Sequence, residues 1–272
     1  MKPLIFFGYF GGKYKIASKL IPLFPNHKCY CEVFGGAGNV LLQKPPSKVE
    51  VFNDINSDIY NLFRVLREDF DEFYRLVQLT PYSRETFYEY CAQLETETDL
   101  VKRAAMWYSV ACMSFSGIHG NSWSFTKMRN LPNIFKNKIE RLHEIVDRLR
   151  LVSIENRGFE FILDTYDGKD TFFYLDPPYV PDTRRGGGYQ NEMTIEDHEN
   201  LVGILSDIKG KVMLSGYENP VYDALGWHRY EIETTASSAG RTRSSGLQGD
   251  GNVSKQQKRV ESVYINYKDE IL

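Results

Sequence analysis

The sequence is short of cysteine, of long apolar runs and of excess charge, and each shortage closes a class of function. Its four cysteines, Cys29, Cys31, Cys91 and Cys112, form no C-x-x-C pair and have no histidine cluster beside them. That excludes the common zinc and dithiol spacings. Cys29 and Cys31 alternate along a predicted strand and share one of its faces, and all four read as reduced core thiols. No apolar run approaches the roughly 20 residues of a membrane-spanning helix, and no leader-like segment precedes the first predicted strand. A soluble, cytoplasmic protein with no membrane partner is expected. The net charge of −3 argues against a protein that coats nucleic acid indiscriminately. It leaves local basic patches free to bind one.

What is present is a chain of 272 residues, 42% hydrophobic and 14% aromatic, long enough for one large α/β domain or for a domain carrying an insertion. Near the N-terminus, Phe7-Gly8-Tyr9-Phe10-Gly11-Gly12-Lys13 precedes apolar residues spaced for a short helix (Ile16, Leu20, Leu23, Phe24). Lys28 to Phe34 reads as a strand, Gly35-Gly36-Ala37-Gly38 as a turn opening a helix, and Lys48 to Phe52 as a second strand ending at Asn53-Asp54. This is a βαβ pattern. From 55 to 149 the periodicity is helical, with helices predicted over Ala104–Phe115 and Ile134–Leu149. Strand patterns resume at Leu151–Ile154, Phe172–Leu175 and Val212–Ser215. Two final strands, Trp227–Thr234 and Ser262–Tyr267, flank a Gly/Ser-rich basic stretch and predict an antiparallel hairpin at the sheet edge. The expected organisation is a catalytic domain from 1–54 and 150–272 with a helical insertion at 55–149.

The most informative tetrapeptide is Asp176-Pro177-Pro178-Tyr179, which follows the apolar strand Phe172–Leu175. Two prolines cannot continue a central strand, because they have no N–H to donate. The chain must break there, at the strand's C-terminal end, where open α/β sheets bind ligands. The break offers a carboxylate, a proline carbonyl outside any ladder, and an aromatic face. Asp176 and the Pro177 carbonyl can each accept one hydrogen of an aromatic amine while Tyr179 stacks on its ring. The glycine turn Phe34-Gly35-Gly36-Ala37-Gly38 allows close backbone approach to a ligand. About 20 residues on, Asp54 ends the second strand, where dinucleotide folds place a ribose-binding acid; the alternative for Asp54 is a helix N-cap.

Taken together, the Gly-Gly-Lys segment, the glycine turn, Asn53-Asp54-Ile55-Asn56, the helical stretch and Asp-Pro-Pro-Tyr occur in an order that resembles Dam-type (D12 class) DNA N6-adenine methyltransferases over nearly the whole chain. The resemblance implies an α/β fold with a Rossmann-like methyltransferase sheet, a C-terminal antiparallel hairpin and an inserted helical target-recognition subdomain. It implies S-adenosylmethionine as cofactor and adenine in double-stranded DNA as substrate, reached by base flipping, with no metal. In it, Tyr9, Lys13, Phe34, Gly35, Gly36, Gly38, Asp54, Phe159 and Asp176 serve the cofactor, and Asp176, Pro177, Pro178 and Tyr179 the chemistry. Gly158 stands where the family has an aspartate, so either Asn156 or Glu160 is left to meet the cofactor adenine.

Phosphate contacts are expected from Lys127, Arg129, Lys136, Lys138 and Arg141, from Arg184 and Arg185, and from Arg241, Arg243, Lys255, Lys258 and Arg259. The stretch Ala236–Arg259 is expected to be mobile until DNA orders it. Ser116, Asn121 and Trp123 lie in a mix of small polar residues and aromatics suited to base edges and stacks. An N4-cytosine or RNA-base methyltransferase is the nearest alternative. A nicotinamide oxidoreductase would not need Asp176 to Tyr179, and neither would an inactive DNA-binding module. A cognate restriction endonuclease is a candidate partner.

Overall fold

The computed structural model describes residues 3–180, 191–235 and 258–267. Arg184, Arg185, Arg241, Arg243 and Lys255, with most of the Gly/Ser-rich stretch, lie outside the described residues.

Seven strands form one sheet: β1 (Cys29–Glu32), β2 (Val49–Asn53), β3 (Ser153–Glu155), β4 (Thr171–Leu175), β5 (Lys211–Gly216), β6 (His228–Thr235) and β7 (Lys258–Ile265). Their order is β3-β2-β1-β4-β5-β7-β6. The first five run parallel; β7 is antiparallel to both β5 and β6. The predicted hairpin is thus present, with its returning strand β7 inside and β6 at the edge. Every residue of β4 is buried, as expected of a parallel strand covered on both faces. Its side chains divide by parity. Phe172 and Tyr174 join the apolar cluster of one face, and Phe173 and Leu175 that of the other.

The N-terminal segment leads into α1 (Ala17–Leu20), flanked by 3-10 turns at Lys13–Lys15 and Ile21–Leu23. Between β2 and β3 come α2 (Ser57–Glu68), α3 (Phe70–Leu79), α4 (Arg84–Gln93), α5 (Leu100–Met113), α6 (Leu131–Glu140) and α7 (Leu142–Leu149). Ile59, Phe63, Phe73, Trp107 and Tyr108 from these helices share one cluster with Phe6, Phe52 and Phe172, so this stretch packs on a sheet face. The opposite face is covered by α8 (Phe159–Tyr166), α9 (Ile195–Ser206) and α10 (Pro220–Asp223), through residues such as Ile162, Leu201 and Tyr222.

Two predicted helices differ. The glycine turn opens no regular helix; residues 36–43 form successive turns, because Gly36 and Gly38 take positive φ of 52° and 62°, outside the helical region. The helix predicted over 134–149 is two helices separated at Arg141 (φ −94°, ψ 5°), whose guanidinium binds Glu144 and the Pro3 carbonyl. In the basic cluster expected there, Arg141 thus pairs with Glu144, and Lys136 pairs with Glu140 at 3.3 Å.

The turns after β1 are held by a buried ionic cluster. Glu50 Oε1 lies 2.5 Å from Lys44 Nζ, and the Arg148 guanidinium of α7 binds both Glu50 oxygens and the Leu41 carbonyl. Burial alone would raise the Glu50 carboxyl; Arg148 and Lys44 together hold it below the ordinary carboxylate value. Glu50→Ala would strand the buried Lys44 and the mostly covered Arg148, at a cost of about 3–5 kcal/mol. Urea unfolding should show that loss, and a change below about 1 kcal/mol would mean that water takes over the pairing.

Candidate active site

At the C-terminal ends of β1 and β4, where the strand order reverses, lies an open cleft of about 650 Å³ with the solvent at its mouth included. This is the switch point at which parallel sheets bind ligands. Its walls are the Tyr9–Lys13 segment, the glycine turn, Asp54 and Ile55 after β2, and Asp176 and Pro178 after β4. The fold brings together residues separated by more than a hundred positions.

The glycines act in different ways. A Cβ on Gly36 would stand 2.8 Å from the Tyr9 ring, and one on Gly12 would stand 2.7 Å from Asn39 Nδ2. Both lack a side chain where the cleft walls meet. Gly35 yields to the core instead, since a Cβ there would fall 2.1 Å from the Phe52 ring. Gly38 is not in the wall; its positive φ turns the chain.

Asp54 caps no helix. Asn56 caps α2, while the Asp54 carboxylate accepts from the Gly36 amide at 2.7 Å and the Asn56 amide at 2.8 Å. It therefore fastens the glycine turn to the end of β2. Burial raises its carboxyl to about 6, and those two amides moderate the rise. Asn39 Oδ1, also in the wall, is buried with no hydrogen-bond partner among the described residues. An apolar slot is offered by the half-exposed Ile55 and by Phe34, whose ring lies 5.8 Å from that of Phe159. Asn156 is already engaged, donating to the Asp54 carbonyl at 2.7 Å and accepting from Ser57. Glu160 Oε2 lies 2.8 Å from where a Cβ of residue 158 would stand. Its carboxylate thus fills the space that glycine leaves.

Lys13 organises the other end of the cleft. Its side chain is almost fully buried, and Nζ donates to Asp176 Oδ1 at 2.6 Å, the Tyr179 hydroxyl at 2.6 Å and the Gly11 carbonyl at 3.1 Å. Tyr179 in turn donates to Glu261 Oε2 of β7 at 2.5 Å. The Tyr179 ring is buried and meets Tyr217 edge-on at 4.6 Å. Burial pushes the Asp176 carboxyl up to about 6, with Lys13 pulling it back. Only Oδ1 of Asp176 is engaged among the described residues, and a carboxylate has further lone pairs to offer. Pro177 is buried and Pro178 faces the cleft.

Two carboxylates escaped the sequence reading, Glu32 and Glu261. Glu32 ends the otherwise apolar β1, which is the signal that marks it; Glu261 stands among Lys258, Arg259 and Ser262 in β7 and has no such signal. Glu32, at the end of β1, accepts from the Tyr30 hydroxyl and the Leu41 amide and lines the cleft.

The proposed base-reading residues sit between α5 and α6. Ser114 bridges to Trp123, and Phe115 donates to the Ser122 carbonyl, closing a tight loop. At its tip Ser116 takes φ 58° and Gly117 φ 74°. A Cβ on Gly117 would stand 2.8 Å from the Tyr9 carbonyl carbon, so this loop abuts the Tyr9–Lys13 segment. Asn121, Lys127 and Arg129 are exposed. Trp123 is held inward against Tyr82 and under Arg84, with Phe125 stacked outside it and exposed.

A cleft at the switch point, lined by Asp176 and Pro178 of Asp-Pro-Pro-Tyr, fits the class of methyltransferases acting on an amino group. Residues 9–236 match the D12 class N6 adenine-specific DNA methyltransferase family, to which the chain belongs. It is 27% identical over 262 residues to the type II methyltransferase M1.LlaDCHI of Lactococcus lactis subsp. cremoris, covering 87% of this chain and 89% of that one. It is 28% identical over 203 residues to the type II methyltransferase M.MjaIII of Methanocaldococcus jannaschii, covering 65% and 69%. With the DNA adenine methylase of Haemophilus influenzae the identity is 22% over 256 residues, covering 85% and 87%. The protein is an enzyme of DNA adenine methylation, with DNA as its substrate. Among the described residues no helix is long and apolar enough to cross a membrane.

Burial raises the Glu32 carboxyl from its ordinary 4.5 to about 8. The folded state therefore holds a proton that the unfolded chain releases near pH 4.5, and the stability this confers is lost as pH rises towards about 8. Glu32→Gln, which has no proton to lose, should gain on wild type across that window and no further above it. Urea midpoints from pH 5 to 9 measure this; a constant difference between the two proteins would show that Glu32 is ionised throughout.

Proposed function

We propose that this chain transfers a methyl group from S-adenosylmethionine to the N6 amino group of an adenine flipped out of duplex DNA. The observation that carries the proposal is Asp176 on the rim of the same cleft whose far wall is the glycine turn clamped by Asp54. The wall fits such a cofactor: two glycines leave room that a Cβ would fill, Asn39 Oδ1 awaits a donor, and Asp54 has lone pairs for ribose hydroxyls. Tyr9, Lys13, Phe34, Gly36 and Asp54 would hold it. Phe159 would flank its adenine, and Glu160 would receive the adenine amino group in place of an aspartate at 158. S-adenosylmethionine supplies a methyl group on a sulfonium, already a good leaving group.

The protein's task is to improve a poor nucleophile. The adenine amine delocalises its lone pair into the ring. Asp176 Oδ2 and the Pro177 carbonyl, accepting its two hydrogens out of the ring plane, would favour pyramidal nitrogen and restore the lone pair. Lys13 fixes the carboxylate through Oδ1. Positioning and this preorganised electrostatic contact carry the rate. Extrusion of the base costs a few kcal/mol, and stacking on Tyr179 returns roughly 1–3 kcal/mol.

Residues 55–149 are proposed as the recognition unit, inserted into a catalytic domain of 1–54 and 150–272. Ser116, Asn121 and Trp123 would serve base reading, with Lys127 and Arg129 on phosphates. Arg184, Arg185, Arg241 and Arg243 complete the proposed phosphate contacts. A cytoplasmic location and a cognate restriction endonuclease belong to the same proposal.

The test is mass spectrometry of nucleosides from duplex DNA incubated with methyl-labelled S-adenosylmethionine. Label in N6-methyl-2′-deoxyadenosine is expected; label in N4-methyl-2′-deoxycytidine, or none, would refute the reading. Asp176→Ala should fold and lose about a hundredfold or more of the rate. The wild-type rate should fall as pH drops through about 6, where Asp176 gains a proton and loses acceptor strength. Asp54→Ala should weaken S-adenosylhomocysteine binding in calorimetry more than DNA binding; equal affinity for the former would leave Asp54 as a clamp on the glycine turn alone.

A further inference from the structure

Glu261 is a carboxylate that the sheet does not need. It lies in β7 opposite Ile232 of β6, between Val260 and the buried Ser262. An apolar side chain would fill this position in the ladder equally well. Its side chain is 12% exposed, and a charge so placed is costly unless it is paired. Both of its partners belong to the site. The Tyr179 hydroxyl donates to Oε2 at 2.5 Å, and Lys13 Nζ stands 3.9 Å from the same atom. The Tyr179 hydroxyl is thereby used twice, as donor to Glu261 and as acceptor from Lys13. Lys13 passes the chain of contacts on to Asp176.

We propose that Glu261 is a positioning residue for methyl transfer, acting through the Tyr179 hydroxyl to hold the tyrosine ring and Lys13 where the target base and Asp176 require them. This rests on the function proposed above. Without Glu261 the Tyr179 hydroxyl loses the acceptor that sets its direction and keeps the Lys13 ammonium as donor, while Tyr217 still meets the ring edge-on. Lys13 then loses the second carboxylate near its ammonium, so its charge bears more heavily on Asp176, the acceptor that the target amine must share. The role differs from that of Glu50, the acid of β2, whose partners Lys44 and Arg148 lie outside the cleft.

The experiment compares Glu261→Ala, Glu261→Gln, Tyr179→Phe and the Glu261→Ala/Tyr179→Phe double variant in single-turnover methylation of duplex DNA. Thermal unfolding serves as the control for folding. Glu261→Ala should lower the single-turnover rate constant roughly ten- to a hundredfold while its affinity for S-adenosylhomocysteine stays within about twofold of wild type. Glu261→Gln, whose carbonyl still accepts the hydroxyl, should recover part of the loss and carries the test if the alanine variant fails to fold. The double variant should be no slower than the slower single one, because both changes remove the same contact. A single-turnover rate constant within about twofold of wild type in both folded Glu261 variants would overturn the proposal, as would losses that multiply in the double variant. A second readout needs no methyl transfer. The 13Cζ resonance of Tyr179, assigned by its disappearance in Tyr179→Phe, should move in Glu261→Ala; an unmoved resonance refutes the contact. If wild type labels no DNA but the resonance moves, the functional reading fails and the Tyr179–Glu261 link stands.

Discussion

Burying negative charge is the constraint around which this protein is built. Four carboxylates gather near the ends of the central strands, and each is made tolerable differently. Asp54 is satisfied by two backbone amides, Asp176 by a buried ammonium, and Glu261 by a phenol with the same ammonium nearby. Glu32 is held by a phenol and an amide and keeps its proton to a pH near 8. Backbone amides and Lys13 leave their carboxylates ionised and directed, which suits groups that must accept hydrogen bonds from a ligand. The carboxylate surplus over Lys13 also makes the cleft a favourable place for a cationic cofactor.

Lys13 links three distant parts of the chain. Through one nitrogen it ties the N-terminal glycine segment to the loop after β4, and through Tyr179 it reaches β7. The loop at 114–123 leans on the backbone of the same N-terminal segment at Gly117. The stretch proposed to read DNA and the segment proposed to hold the cofactor therefore share a contact. Ser116 is the one non-glycine residue with positive φ among those described, and it sits at this contact. Strained backbone persists where its surroundings over-determine it.

Much of this was legible before any coordinates. Strands announced themselves by short apolar runs and helices by their period, so element types emerged well while their ends shifted by a few residues. The stretch after the glycine turn departs from the helix that a βαβ pattern calls for, because the positive φ of Gly36 and Gly38 prevents one. Spacing reports which residues are apolar; it does not report dihedral angles. Acidic residues inside strands were the harder signal. Glu32 and Glu50 look alike in sequence and Glu261 is hidden among polar neighbours, yet Glu50 braces the turn and the other two border the site.

The sequence alone determined the class of chemistry. Asp176 to Tyr179 after an apolar strand must break the sheet at its ligand-binding end, because prolines have no amide hydrogen to continue a ladder. Asp54 after the second strand and the glycines before it follow from equally local rules. Only the tertiary structure decided which partners these groups have. Lys13 meets Asp176 across 163 positions and Tyr179 meets Glu261 across 82, and side-chain period carries no information at that range. Which acid is paired, which is protonated and which stands ready for a ligand is settled by desolvation and by the nearest donor, and both exist only once the sheet has brought its strand ends together.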